Sequence, residues 1–227
     1  MAKSIDGEGI SIIMCTNKPH TLRTVFANYD RVNYVNKEMH IILNQLQDMN
    51  PQEWEAEAAK HCNVFVHQVS CEFTLGYCLN FGVGKCQFDY IAKFDDDDYY
   101  APSFLQNSMK AFQNQKVGVV GRISYYMYLI ERGEMYLDYN PYLRGGTLLF
   151  RRCVHTKIPF EDTSLGEDVR FVQQAVEQNI PIAGLDHRDF VYLRQDNLKH
   201  TWRVGFQDLI KNAILIAHTD DYKSYVS

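Results

Sequence analysis

No stretch of the 227-residue chain approaches the roughly 20 apolar residues that cross a bilayer, and its first residues lack the apolar core of a signal peptide. A cytoplasmic protein without a transmembrane segment is therefore expected. Basic runs are missing too: 23 Lys and Arg stand against 28 Asp and Glu, a formal net charge of −5. Nucleic-acid binding needs several cations placed on phosphates, so no nucleic-acid partner is expected. The six cysteines (Cys15, Cys62, Cys71, Cys78, Cys86, Cys153) form no C-x-x-C pair and no zinc spacing, and read as free thiols in a reducing compartment. Nor is there a Ser/Gly-rich linker, a repeat or a low-complexity segment. One continuous mixed α/β domain is expected, long enough to bury a substantial core.

What is present alternates between strand and helix. Ile10-Ser-Ile-Ile-Met14 is a nearly continuous apolar run, as in a strand buried on both faces of a parallel sheet. Leu22, Val25, Phe26 and Tyr29 recur at helical spacing. His40 to Leu43, ending at Asn44, and Asn63 to His67 read as strands, with a capped helix start at Asn50-Pro51-Gln52-Glu53 between them. Tyr90 to Phe94 and Val117 to Val120 add two more strands, separated by a helix that begins at Pro102. This alternation predicts βαβ units with right-handed crossovers. The later chain changes texture. Ile123 to Tyr139 predicts a hairpin turning at Arg132-Gly133, and Gly145 to Phe150 a strand. Asp168 to Gln178 predicts a helix, as do Phe206, Ile210, Ala213, Ile214 and Ala217.

Four features carry chemistry. Asp95 to Asp98 follow the Tyr90–Phe94 strand directly. Adjacent carboxylates repel, and a divalent cation relieves that repulsion through hard oxygen ligands; the plain alternative is a solvated acidic turn. Position favours the metal, because open α/β sheets bind ligands beyond the carboxyl ends of their strands. Leu165-Gly-Glu167-Asp168 opens a helix, where an acid also serves as an ordinary cap. Asn197-Leu-Lys-His200-Thr-Trp202 offers a histidine and an indole, and Leu75-Gly76-Tyr-Cys-Leu-Asn80-Phe-Gly82 an amide between glycines.

In this order, with Thr16 after the first strand and Asn44 at the end of the second, these motifs resemble the inverting family 2 glycosyltransferases of GT-A fold. The resemblance spans about residues 10 to 203. It implies an α/β GT-A (nucleotide-diphospho-sugar transferase) fold, a mixed, mostly parallel sheet flanked by helices. About 8–120 would form the nucleotide-sugar donor half, and about 121–227 the acceptor and catalytic-base half. This chain has Cys15-Thr16-Asn17 and Asn44-Gln45 where many relatives carry Pro-Thr and Asp-Asp-Gly-Ser. Carried over residue by residue, the resemblance makes Thr16, Asn44, Asn80, Asp95 and Asp96 contacts to a nucleoside-diphosphate sugar. Asp97, Asp95 and His200 would hold Mn²⁺ or Mg²⁺ and face the diphosphate. Asp168 would be the base that deprotonates an acceptor hydroxyl, with Glu167 beside it, and Trp202 and Gly146 would lie on the acceptor side. The acceptor, a carbohydrate or other hydroxyl compound, would be the route by which such a protein sits against a membrane. The aromatic hairpin from Tyr125 to Tyr139 would also border it.

Three other readings compete. A haloacid-dehalogenase-like phosphatase also has D-x-D at a strand end, but on its first strand, whereas three strands precede the cluster here. A nucleotidyltransferase would want a basic, Gly-rich loop after the first strand, and Thr16-Asn-Lys-Pro-His20 has one lysine and no glycine. A carbohydrate- or metal-binding module without turnover would keep its ligand after loss of Asp168.

Overall fold

The computed structural model describes residues 7–45, 48–140, 142–195 and 204–227. Strand β1 (Ile10–Thr16) is apolar on both faces because both faces are covered. Ile10, Ile12 and Met14 pack into one core with α1 (Leu22–Arg31), α2 (Pro51–Ala58) and α4 (Phe104–Ala111), through Val25, Phe26, Trp54, Phe104 and Met109. Ile13 points the other way, into a core with α3 (Leu75–Lys85), α5 (Arg152–Lys157) and α6 (Glu167–Glu177), through Leu79, Val83, Val154, Phe171 and Val172. The period-2 alternation of the strand thus assigns each apolar side chain to a layer.

Among the described residues the strands form two sheets. In the larger, β1 pairs in parallel with β2 (Lys37–Gln45) and β4 (Tyr90–Phe94), and β2 in parallel with β3 (Val64–Ser70). Beyond β4 lie β9 (Leu149–Arg151), β6 (Val119–Arg122) and β10 (Ile182–Leu185), in the order β10-β6-β9-β4-β1-β2-β3. Only β9 runs against its neighbours. The smaller sheet has the order β12-β8-β7-β11-β5, made of Ile214–His218, Glu134–Tyr139, Ser124–Leu129, Phe190–Arg194 and Tyr99–Tyr100 respectively. The mixed, mostly parallel sheet flanked by helices is the architecture expected. No helix among the described residues is long and apolar enough to cross a membrane.

Two expected elements differ. The apolar spacing from Phe206 to Ala217 suggested one helix, but the helix α7 (Phe206–Ile210) stops and β12 follows. Here β-branched Ile214 and Ile216 join an edge strand against β8, with a bulge between Leu215 and Ala217. The expected strand from Gly145 to Phe150 begins only at Leu149. Gly145–Thr147 instead make a 3₁₀ turn whose Gly146 carbonyl accepts the Tyr100 hydroxyl (2.6 Å).

Candidate active site

The carboxyl ends of β1, β2 and β4 open into a cleft of about 670 Å³, closed opposite by the 143–146 turn and the start of α6. Thr16, Asn44, Asp95, Asp96, Asp97, Gly146, Glu167 and Asp168 all line it. The acidic cluster is far less solvated than an exposed loop would be. Asp96 is 6% exposed and Asp98 fully buried. Asp96 accepts from the Thr16 hydroxyl (2.6 Å) and, with Asp97, from the Lys18 ammonium, at 2.9 Å and 2.7 Å. Burial pushes the Asp96 carboxyl up, as does Asp97, against the pull of Lys18 and Thr16. Burial also works against the Lys18 charge, but Asp96 and Asp97 outweigh it and hold that ammonium above the ordinary lysine value. Asp98 turns away from the cleft. One oxygen accepts from the Leu193 N–H (3.1 Å), and Oδ2 is buried without a partner. Burial, then Asp97 and Asp95, raises this carboxyl well above the usual range, with Arg144 opposing.

Asp95 sits one step nearer the wall made by the 143–146 turn and the start of α6. Its backbone N–H donates to the Tyr100 hydroxyl (2.7 Å), and its carboxylate takes the Lys93 ammonium at 2.5 Å. Lys93 lies on β4 with the parity of Ile91, facing the layer that contains α6, and is 3% exposed. Burial disfavours its charge; Asp95, then Asp168 and Glu167, overcome that and raise its pKa. A buried cation therefore joins the strand-end acids to the helix-start acids. Sequence reading missed Lys93, although a lysine inside an otherwise apolar strand, two residues before an aspartate, was the signal.

The helix-start acids are delivered by a turn that depends on Gly166, whose φ of +83° lies in the left-handed region. Glu167 is 4% exposed, and burial, opposed by Lys93 and helped by Asp168, pushes it up to about 7. Asp168 is half-buried, with Oδ1 accepting from the Val169 N–H (2.7 Å). A Cβ on Gly145 would overlap Asp168 Oδ2, and one on Gly146 would lie 2.6 Å from Asp95 Oδ2 and 3.0 Å from Asp98 Oδ2. The Gly145–Gly146 peptide thus separates the base candidate from the acidic cluster, and only glycine leaves both carboxylates in place. Gly146, expected on the acceptor side, adjoins Asp95 and Asp98; its neighbour Gly145 adjoins Asp168.

Asn80 is a correction. It does not line the cleft. Its amide donates to the Phe160 carbonyl (2.8 Å) and its oxygen accepts the Phe160 N–H (3.0 Å), with His155 Nε2 at 2.7 Å from the same oxygen. Gly76 lets the chain at Glu161 approach α3, since a Cβ there would overlap the Glu161 carbonyl. The Thr74 hydroxyl donates to Asp162, and the Leu75 N–H to Ser164 Oγ (3.2 Å). Asn80 and Gly76 clamp the 160–164 segment leading to Glu167, while Leu75, Cys78 and Leu79 of the same stretch line the cleft. Asn44 does line the cleft, its amide hydrogens engaged by the Ser70 and Phe73 carbonyls (3.0 and 3.1 Å).

The hairpin is corrected as well. Tyr125, Tyr128 and Tyr136 are buried in the cores, and no residue from Tyr125 to Tyr139 lines the cleft; Asn140 and Tyr142, just beyond, do. Two cations on this wall, Arg144 and Arg194, were not anticipated. Arg144 stacks on the Tyr192 ring at 3.6 Å, and Arg194 donates to the Tyr192 hydroxyl (2.9 Å). His200 and Trp202 lie outside the described residues.

No group of three His, Cys, Asp or Glu side chains among the described residues converges as a self-sufficient metal site. The carboxylates nevertheless suit Mg²⁺ or Mn²⁺, which are commonly held by one or two carboxylates together with substrate phosphates. The space over Gly146, which a single Cβ would fill against Asp95 and Asp98, is consistent with that sharing.

The fold is shared with solved glycosyltransferases. S. aureus TarS 1-349 matches with a TM-score of 0.64 at 14% identity, over 82% of this chain and 60% of that one. TarS solved with UDP-GlcNAc matches at 0.65 and 13%, over 89% and 64%. The mannosyltransferase PcManGT from Pyrobaculum calidifontis, solved with GDP-Man and Mn²⁺, matches at 0.66 and 14%, over 82% and 56%. The chain thus spans between 56% and 64% of these three solved chains. No curated protein sequence matches it. The model of "Glycosyl transferase family 2" matches residues 11–165, well over half of the chain, and with the GT-A architecture in place the protein belongs to that family.

Proposed function

We propose that the protein is an inverting, metal-dependent transferase that moves a sugar from a nucleoside-diphosphate sugar to an acceptor hydroxyl by single displacement. One observation carries this reading: a single Gly-Gly peptide separates the Asp95 carboxylate of the strand-end cluster from the Asp168 carboxylate of the α6 turn, within one cleft. A displacement needs this arrangement, with the leaving group's charge handled on one side of the reacting carbon and a proton acceptor on the other. Residues of about 8–120 would take the donor, with Thr16, Asn44, Asp95 and Asp96 on its nucleotide and sugar. Residues of about 121–227 would present the acceptor and the base. Asp97 and Asp95, with His200, would hold Mn²⁺ or Mg²⁺; when bound, the ion supplies positive charge to the departing diphosphate. Asp168 accepts the acceptor's proton, and Lys93 keeps Asp95 and the α6 acids in register. The nucleotide-sugar and Mn²⁺ complexes of the matched structures support the donor and metal classes.

The test is to incubate the protein with Mn²⁺ and a panel of nucleotide sugars and to follow release of nucleoside diphosphate. Slow hydrolysis of one donor would identify it. Asp168→Asn should then lower kcat by about 10²- to 10⁴-fold with donor affinity kept. Release from no donor, or a product with retained anomeric configuration, would refute the reading.

A further inference from the structure

The Arg144 guanidinium has five N–H donors, and none meets an acceptor among the described residues: no carboxylate forms an ion pair with it, and its Nε is buried without a partner. This is unusual beside so many carboxylates. Lys18 is paired with Asp96 and Asp97 and Lys93 with Asp95, whereas Arg144 is held by ring faces, over Tyr192 at 3.6 Å and Tyr125 at 5.3 Å. Stacking on a ring fixes the plane of a guanidinium but leaves its edge unbonded. The backbone is equally fixed. The Arg144 N–H donates to the Arg122 carbonyl (2.8 Å), and its own carbonyl accepts from Thr147 N–H (2.9 Å) and hydroxyl (2.7 Å). Arg122 is itself buried on a bidentate pair with Asp189. Burial works against the Arg144 charge, while Tyr192, Tyr125, Asp98 and Asp95 keep it protonated. The result is a permanent cation with a rigid mount, an open edge and a position next to Gly145–Gly146, where the acidic cluster and the base candidate meet.

We propose that Arg144 binds phosphate oxygen: its guanidinium edge takes the diphosphate of the donor, giving the leaving group a fixed positive charge that is present with or without a metal. The proposal rests on the transferase reading and adds to it a binding residue on the acceptor-side loop. Planar, paired N–H groups match phosphate oxygens, which a lysine ammonium at the same place would meet only as a point charge. A purely structural Arg144, a plug between two tyrosines, would leave affinity for a phosphate-free nucleoside and for its diphosphate equally affected by substitution.

Calorimetry on the full chain separates these roles. The parent, Arg144→Gln and Arg144→Lys are titrated with a nucleoside diphosphate and with the matching nucleoside, each in chelator and in Mn²⁺, after thermal melts show the variants folded. The nucleoside is the one whose diphosphate sugar the parent hydrolyses. Arg144→Gln should weaken the diphosphate in chelator by roughly ten- to a hundredfold, as expected for charge-assisted hydrogen bonds, and leave the nucleoside unchanged. Arg144→Lys should recover part of the loss. Equal diphosphate affinity in parent and Arg144→Gln would overturn the role of Arg144 while leaving the transferase reading intact, and so would a loss shared equally by the nucleoside. If the parent hydrolyses no donor and binds no nucleoside diphosphate under either condition, the transferase reading fails and this proposal with it.

Discussion

Glu167→Gln probes the electrostatics of the cleft while keeping its shape. Burial moves Glu167 from the ordinary value of 4.5 to about 7, with Lys93 restraining the rise and Asp168 adding to it. A pKa difference of one between folded and unfolded states is worth about 1.4 kcal/mol, so the ionised side chain weakens the fold by up to about 3 kcal/mol. The sign follows from proton uptake. Between pH 4.5 and about 7 the folded protein keeps a proton that the unfolded chain has released, so stability falls as the pH rises through that window and stays lowered above it. Below the window both states are protonated and the penalty vanishes. The glutamine variant, neutral throughout, should match the parent at the acid end and exceed it by up to about 3 kcal/mol near pH ~8. For a chain of this size that is roughly 6–12 °C in Tm. Urea unfolding of both proteins across the window, in chelator and without nucleotide so that ligands do not stabilise either one, measures the difference directly. A difference that is constant with pH, or a variant less stable than the parent at the alkaline end, would refute the buried, destabilised carboxylate.

Three further outcomes are expected. Gly145→Ala places a Cβ on Asp168 Oδ2 and should reduce kcat by at least about tenfold with donor affinity kept; unchanged kcat in steady-state assays would remove Asp168 from the reaction. Lys18→Met frees the Asp96 and Asp97 carboxylates from their resident cation and should tighten Mn²⁺ binding to the donor-free protein, read by calorimetry; weaker binding would mean that Lys18 organises the site rather than competing for it. Asn80→Ala removes the clamp on the Phe160 backbone and should cost about 1–3 kcal/mol in denaturant melts without weakening nucleotide binding, whereas loss of nucleotide affinity at full stability would return Asn80 to the donor pocket.

The parallel half of the fold was legible because its strands obey a simple rule: buried on both faces, they are written as apolar runs, as in Ile10 to Met14 and Tyr90 to Phe94. The C-terminal segment was not, because Phe206, Ile210, Ala213 and Ala217 satisfy a helical period whether or not the backbone continues as a helix. Pairing of Ile214–His218 with β8 decided it, and a partner strand roughly eighty residues earlier leaves no mark in local spacing. That Asp95, Asp97 and Asp168 would share a cleft was readable because acids crowded at element ends conflict with ordinary packing. Lys93 left a signal only as a charge inside an apolar strand, and Arg144 left none, being a single basic residue whose meaning comes from what surrounds it. Asn80 was misplaced for the same reason: an amide between glycines suits a ligand and a backbone clamp equally, and only the Phe160 backbone distinguishes them.

On the proposed reading, the charges lining the cleft would couple donor binding to metal binding. Lys18, Lys93, Arg144 and Arg194 stand against Asp95, Asp96, Asp97, Glu167 and Asp168, four cations to five carboxylates among the described residues, hence one net negative charge when all are ionised. A diphosphate entering alone would add to that negative charge, and would find the Arg144 guanidinium without an acid partner among the described residues. A divalent cation entering alone would have to displace Lys18 from Asp97 or Lys93 from Asp95. Arriving together, the cation turns the local charge positive for the diphosphate, and the diphosphate offers the displaced lysine a new partner. Each therefore raises the affinity of the other by the same factor, as linkage requires.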